Sequence, residues 1–345
     1  MAAPGFAPGV IEEAIEAVNR HGGISAAARA LGMAESTLRR RYLAAQRTEK
    51  LSEAGYNITF QDRTPQDAWD SHASAFERKV ASTLSKKSHT IKREGPFVIY
   101  HCTDPHVDDD ASALKLLEAD IIASHALGAI MCHGGDLLNN WPMAGRLAKQ
   151  WAEQSCTLPD ALLRAQHYID IFKPDVWVDG NHEEMNPYLV NLFDQWIPRK
   201  TIKDYWRADF TVSVRGCRDT SVSLSHKFQK GGSWFNPAHG GVREMLEGED
   251  VDIYLEGHLH IDGVMERTLA ERRSRALIVS SAGYKVIDKY ATRISRGGQS
   301  PKIRGRAHWI VTDPQADYEE TSSVAFKSAR QAEAYLNGLQ NLRAA

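Results

Sequence analysis

Five short polar motifs occur in order along the chain, and their side chains are of the types that bind divalent cations. They are Asp104-Pro105-His106, Gly135-Asp136, Gly180-Asn181-His182-Glu183, His226, and Gly257-His258-Leu259-His260. Carboxylate, amide and imidazole donors in that number suffice for two adjacent cations. Two cations bridged by one carboxylate, about 3.5–4 Å apart, suit the clamping of a phosphate during in-line displacement. A water between two cations loses much of its pKa and becomes a nucleophile near neutral pH. The leaving alkoxide needs a proton, which a histidine titrating near neutrality can give. This donor mix suits Mn first, with Fe or Zn as alternatives, better than Mg.

Such donors must be delivered by rigid elements. Residues 97–103, 128–132 and 175–179 are apolar runs that each end at a motif, and helical patterns near 112–126, 141–172 and 184–195 separate them. That is β-α alternation, with room in each gap for a parallel crossover. The ligands then collect at the carboxyl ends of neighbouring strands, where open α/β sheets place their sites. A glycine directly before Asp136, Asn181 and His258 lets the backbone turn sharply and come close to an ion. Strand-like segments at 209–214, 220–226, 252–255, 263–269, 276–282 and 307–312 lack long intervening helices, which implies more antiparallel pairing late in the chain. Residues 322–342 read as a terminal helix.

Over residues 95–315 this motif series resembles the calcineurin-like metallophosphoesterase superfamily. The resemblance implies a four-layer αββα sandwich of two mixed sheets. It assigns one metal to Asp104, His106, Asp136 and His260, and a second to Asp136, Asn181, His226 and His258, with His182 as the catalytic histidine. For the fourth motif, His226 is preferred over His239 because a strand delivers it rigidly. His239 is kept as a substrate contact or as the cap of a helix beginning near Gly241. His101 and His133 read as packed or hydrogen-bonded strand neighbours. Asp108-Asp109-Asp110 reads as a solvated helix start, since acids favour a helix amino end, rather than a third metal site.

The amino-terminal residues 1–46 follow a helix, helix, glycine-containing turn, helix layout and resemble helix-turn-helix segments of the Fis-like and homeodomain-like kind. Ile24, Leu31, Met33 and Leu38 are its expected core. Ser36, Thr37, Arg39, Arg40 and Arg41 would lie on or beside the recognition helix and reach bases or phosphates. The alternative is a docking or dimerisation element with a solvated arginine face. Residues 47–94 read as a linker and connecting helix, and 316–345 as a C-terminal tail and helix. Two basic stretches, one with Lys86, Lys87, Lys92 and Arg93 and one with Arg293, Arg296, Lys302, Arg304 and Arg306, suggest a polyanion, Arg304 being the expected substrate contact. The alternative is solubilising loops. Phe228, Trp234 and Phe235 are candidates for stacking on bases or for covering the core.

With 345 residues and 42% hydrophobic content the chain can bury a sizeable core, and its net charge of −2 argues against wholesale wrapping in nucleic acid. No membrane span or secretory signal is evident, and four scattered cysteines suggest a reducing, cytoplasm-like compartment. The leading expectation is a metal-dependent phosphodiesterase, a nuclease acting on DNA, in an arrangement resembling those of bacteriophage and prophage, with a homo-oligomer also compatible. The alternatives are a phosphomonoesterase or cyclic-nucleotide phosphodiesterase, and a non-enzymatic DNA-binding regulator with a structural metal site.

Overall fold

Three strands, Phe97–Cys102, Ile130–His133 and Val176–Val178, are buried at every position. Unbroken apolar runs of this kind belong to parallel strands covered on both faces. In the computed structural model they form the middle of one of two sheets. The structure describes residues 8–39, 41–43, 69, 73, 89–141, 154–185, 187–228, 236–248, 251–269, 274–285, 306–316 and 322–344. The chain divides into two units, Met1–Lys86 and Lys87–Ala345.

The first unit contains α1 (Pro8–His21), α2 (Ile24–Ala30) and a further helical run at 35–39. Ala14, Ala17, Val18, Ala27, Ala28 and Leu38 form its core, with Ile24, Met33 and Tyr42 packed against them. Small residues let the helices approach closely, as the sequence suggests. Leu31 departs from expectation: it is 48% exposed and outside that core. Gly32 follows it in the left-handed region, φ 60°, and so turns the chain after α2. Ser36 and Arg39 are exposed, while Thr37 and Arg41 are half-buried; Arg40 lies outside the described residues.

The second unit runs β1 (His89–Arg93), β2 (Phe97–Cys102), α3 (Leu114–Ala126), β3 (Ile130–His133), α4 (Leu158–Phe172), β4 (Val176–Val178), α5 (Asn181–Glu184) and α6 (Pro187–Trp196). It continues through β5 (Ile202–Asp204), β6 (Arg207–Val214), β7 (Thr220–Ser225), α7 (His239–Glu247), β8 (Ile253–Glu256), β9 (Gly263–Leu269), β10 (Ser274–Ser280), β11 (His308–Thr312), β12 (Ser323–Phe326) and α8 (Ala329–Ala344). One six-stranded sheet has the order β12-β11-β2-β3-β4-β5, the other β1-β6-β7-β8-β10-β9. Both are mixed: β2 to β5 are parallel, β11 opposes β2, and the β6-β7 and β9-β10 pairs are antiparallel.

The pleat sends alternate side chains of each strand to opposite faces. Ile99, Ile130, Val178, Val212, Leu224 and Ile253 meet in the layer between the sheets. Tyr100, Met131, Trp177 and Trp309 face outward into a second core with residues of α3, α4, α6 and α8. On the other side, Tyr254 and Ile278 pack beneath Val242 and Met245 of α7. Helix, sheet, sheet, helix is therefore the layering, a four-layer αββα sandwich. Each fully buried aliphatic side chain contributes about 1.5–3 kcal/mol.

Three sequence assignments shift. His89–Arg93, assigned to the connecting segment as part of a basic stretch, forms edge strand β1. Lys92 is exposed there, and a charge on an edge strand discourages pairing with another chain. The segment from 316 onward, expected as a tail and a helix over 322–342, first supplies β12, which pairs with β11; the helix, α8, begins only at Ala329, and its Ala332 and Leu336 are core residues. Phe228 is 3% exposed and packs against Tyr254, so it is not a stacking surface. Trp234, Phe235, Lys86, Lys87 and the loop containing Arg293, Arg296, Lys302 and Arg304 lie outside the described residues. Arg306 is committed elsewhere: it pairs with Asp120 at 3.4 Å and lies over the Trp309 ring. Among the described residues no helix is long and apolar enough to cross a membrane.

Candidate metal centre

The chain leaves β2, β3 and β4 toward one edge of the first sheet and β7 and β8 toward one edge of the second, and every sequence motif lies just past one of these strand ends. Asp104, His106 and His260 bring their donor atoms together, as do Asp136, His226 and His258, and a third grouping of His106, Asp136 and His182 joins them. His106 Nε2 and His260 Nε2 are 3.2 Å apart, and His260 Nε2 is 3.2 Å from Asp104 Oδ1. His226 Nε2 is 3.3 Å from Asp136 Oδ2, 3.2 Å from His258 Nδ1 and 3.0 Å from Asn181 Oδ1. Asp136 belongs to two of these groupings, and His106 links it to the third, so it is the carboxylate placed to bridge.

The backbone carries part of this arrangement. Seven described non-glycine residues have a left-handed φ, and five of them are Asp104, His106, Asp136, His258 and His260. Each costs about 1–3 kcal/mol and persists only where its surroundings hold it. The glycines have a related task. Gly135 takes φ 93°, and a Cβ there would lie 2.7 Å from His226 Nδ1. A Cβ at Gly180 would overlap the Asp136 carboxylate, so the loops after β3 and β4 can approach only without one.

Glu183, which the sequence reading left without a role, fastens these loops. Its carboxylate accepts from the backbone N–H groups of Asp136 (2.9 Å), Leu137 (2.8 Å) and Gly180 (2.7 Å). Burial, with Asp136 and Asp179 nearby, pushes its pKa up to about 8, against the pull of those donors. Its neighbour His182 donates from its backbone N–H to Asp136 Oδ1 (3.0 Å) and holds its Nε2 3.7 Å from Asp136 Oδ2.

The donor set fits divalent cations. Asp104 Oδ1 and His106 Nδ1 are buried and take part in no hydrogen bond. Asp104 Oδ2 accepts from Thr103 Oγ1 (2.6 Å) and His258 N (2.9 Å), which leaves Oδ1 turned to the histidines. His226 Nδ1 donates to the Gly134 carbonyl (2.8 Å), so Nε2 is the nitrogen presented to the centre. Burial opposes ionisation of Asp104, but His260 outweighs it and holds the carboxyl below its ordinary range. Burial likewise lowers His226, yet Asp136 dominates and lifts it from 6.5 to about 10. Burial and the charge on His226 depress His258 to about 4.

These shifts have a testable sign. The proton on His226 stabilises the fold below its ordinary pKa of 6.5, and this contribution disappears as pH rises through about 10. A cation needs neutral imidazole, so it must displace that proton. Titrating the protein with Mn²⁺ at pH 8 is expected to release about one proton per chain, with affinity rising with pH. Calorimetry in buffers of differing ionisation enthalpy measures it; no release would remove the protonated His226–Asp136 pair.

The remaining sequence candidates separate clearly. His239 opens α7 as its first residue, makes no cap, and belongs to none of the donor groupings among the described residues. His101 and His308 both contact Ser281 Oγ at 2.9 Å, and His133 stacks on Trp177 at 3.7 Å. Asp108 is not a solvated helix start: it is 2% exposed and accepts from Asn139 N (2.7 Å) and Gln154 Nε2 (2.8 Å). Two exposed aromatics escaped the sequence reading, Tyr205 at 44% and Trp206 at 38%. The Tyr205 carbonyl accepts from Asp179 N (3.0 Å) and the Trp206 carbonyl from Ser225 Oγ (2.9 Å), beside the loops of Asn181 and His226. Lys227 is exposed there too, its Nζ 3.4 Å from His258 Nε2.

Among solved structures, calcineurin-like phosphoesterase YfkN from Bacillus subtilis is similar at 11% identity, covering 73% of this chain and 100% of its own, with a TM-score of 0.37. A metallophosphoesterase from Sphaerobacter thermophilus shares 13% identity over 70% of this chain and 94% of its own, TM-score 0.31. No curated protein matched the chain. Residues 97–262 match the model of the calcineurin-like phosphoesterase family, a span that contains every proposed ligand. Over that span, just under half of its length, the chain is similar to the calcineurin-like phosphoesterases.

Proposed function

We propose that the protein is a metal-dependent phosphodiesterase that cleaves DNA. One observation carries the hydrolytic reading: donors from five strand ends converge about Asp136 while His182 Nε2 stands 3.7 Å from its carboxylate. Two divalent cations, Mn first, held by Asp104, His106, Asp136 and His260 and by Asp136, Asn181, His226 and His258, would supply Lewis-acid activation of phosphate and of the attacking water. Asp136, held at its backbone N–H by Glu183, would be the ligand common to both cations. His182 stabilises the developing negative charge on the phosphoryl oxygens and delivers a proton to the leaving oxygen from Nε2, its Nδ1 being bonded to the Asn139 carbonyl.

The polynucleotide part rests on other features. The amino-terminal unit places exposed Ser36 and Arg39 on its third helical run, the expected base- or phosphate-contacting surface. Linking such a module to a hydrolase raises the local substrate concentration without new contacts. Tyr205 and Trp206 take the stacking role that Phe228 cannot fill. Base–aromatic stacking is worth about 1–3 kcal/mol per base. Trp206→Ala is therefore expected to raise KM on oligonucleotides by about tenfold with kcat unchanged; an unaltered KM would take the platform out of substrate binding.

A metal-screened panel of plasmid, oligonucleotide, cyclic nucleotide and small phosphoesters tests the whole reading. Mn-dependent cleavage of DNA, lost in Asp136→Asn and His182→Ala, is the expected result. Hydrolysis of small esters with DNA left intact would move the assignment to a small-substrate phosphoesterase. DNA binding with no hydrolysis under any metal would leave a regulator.

A further inference from the structure

We propose that Asp108, Asp109 and Lys285 form a clamp that positions His182 by gripping Asn139 and Trp141. This inference rests on the reading of His182 as the proton donor. Asn139 is held at each polar group. Its N–H donates to Asp108 Oδ1 (2.7 Å), its Nδ2 to Asp109 Oδ2 (2.8 Å), and its Oδ1 accepts from Lys285 Nζ (3.2 Å). Its carbonyl accepts from His182 Nδ1.

The carbonyl can only accept, so Nδ1 must donate and Nε2 is the nitrogen left for chemistry. The next two residues complete the grip. Asn140 Nδ2 donates to the His182 carbonyl (2.6 Å), and the Trp141 ring meets the imidazole edge-on at 4.7 Å. Lys285 Nζ lies 5.6 Å from the Trp141 centroid and 2.9 Å from Asp109 Oδ2. One ammonium thus touches both residues that flank the imidazole.

A side chain only 6% exposed and carrying a charge is expensive to bury unless its partners are fixed. Here the partners are those that set the orientation of His182. Asp108, itself buried, is steadied in turn by Gln154. None of the three clamp residues belongs to the donor groupings around Asp136 among the described residues, so they act through His182 as positioning residues.

Asp109→Asn and Lys285→Met are each expected to lower kcat about 10–100-fold, with KM and bound cation unchanged. The loss should be larger for an alkyl ester than for a p-nitrophenyl ester, whose leaving group needs no proton. Lys285→Arg, which keeps the charge, should recover part of it. Introduced into His182→Ala, the same substitutions should change kcat by less than about twofold. A similar loss in both backgrounds would overturn the clamp while leaving His182 as the acid. Wild-type turnover in His182→Ala would overturn the acid assignment and the clamp with it. Cation content and thermal unfolding of each variant exclude misfolding; if Asp109→Asn fails to fold, the Lys285 pair decides the outcome.

Discussion

Asp136→Asn is expected to lower kcat/KM on every phosphoester by about a thousandfold or more, and to reduce the cation content of the purified protein. The magnitude follows from charge stabilisation worth several kcal/mol, each 1.36 kcal/mol being about a factor of ten. Asparagine has the shape of aspartate, and Glu183 holds residue 136 by its backbone N–H, so the loop should stay folded. What changes is the charge. Asp136 Oδ2 faces His226 at 3.3 Å and His182 at 3.7 Å, where an amide can neither bridge two cations nor balance a protonated imidazole. Burial pushes the Asp136 pKa up, but His226 and then His182 outweigh it and hold the carboxyl far below its ordinary range. Metal analysis and steady-state kinetics on one preparation decide it. Two tightly held cations and undiminished turnover would mean that the bridge lies elsewhere.

His182→Ala should cost about 10²–10⁴ in kcat on esters with poor leaving groups and much less on p-nitrophenyl esters. Cations should remain bound, since Asp104, Asp136, Asn181, His226, His258 and His260 keep their places. Equal losses for both kinds of ester would show that His182 does not deliver the proton. This variant also separates proton delivery from the electrostatic work of the rest of the centre, because removing the imidazole leaves Glu183 and its three N–H donors untouched.

Much of this architecture was legible in the residues. Strands covered on both faces announce themselves as apolar runs, and each ends at a motif, so β2, β3 and β4 and their edge of the sheet could be placed. The choice of His226 over His239 followed from the same logic, and the structure sets His226 beside Asp136 and His239 at the start of α7. β1 was missed because His-Thr-Ile-Lys-Arg reads as a charge run; its alternating burial emerges only when β6 lies beside it. The terminal helix was legible, but β12 was folded into its start because four residues pairing with β11 carry too short a pattern to stand out before the sheet is formed. The clamp was invisible for another reason. Asp108 and Asp109 look solvated in sequence, and Lys285, some 175 residues away, meets them only across the fold.

The left-handed backbone at Asp104, His106, Asp136, His258 and His260 sets durability against turnover. Glycine enters that conformation freely, so replacing any of the five would relax the loop and remove a donor in one step. A selection for survival at high temperature would be drawn to the very positions that hydrolysis must keep.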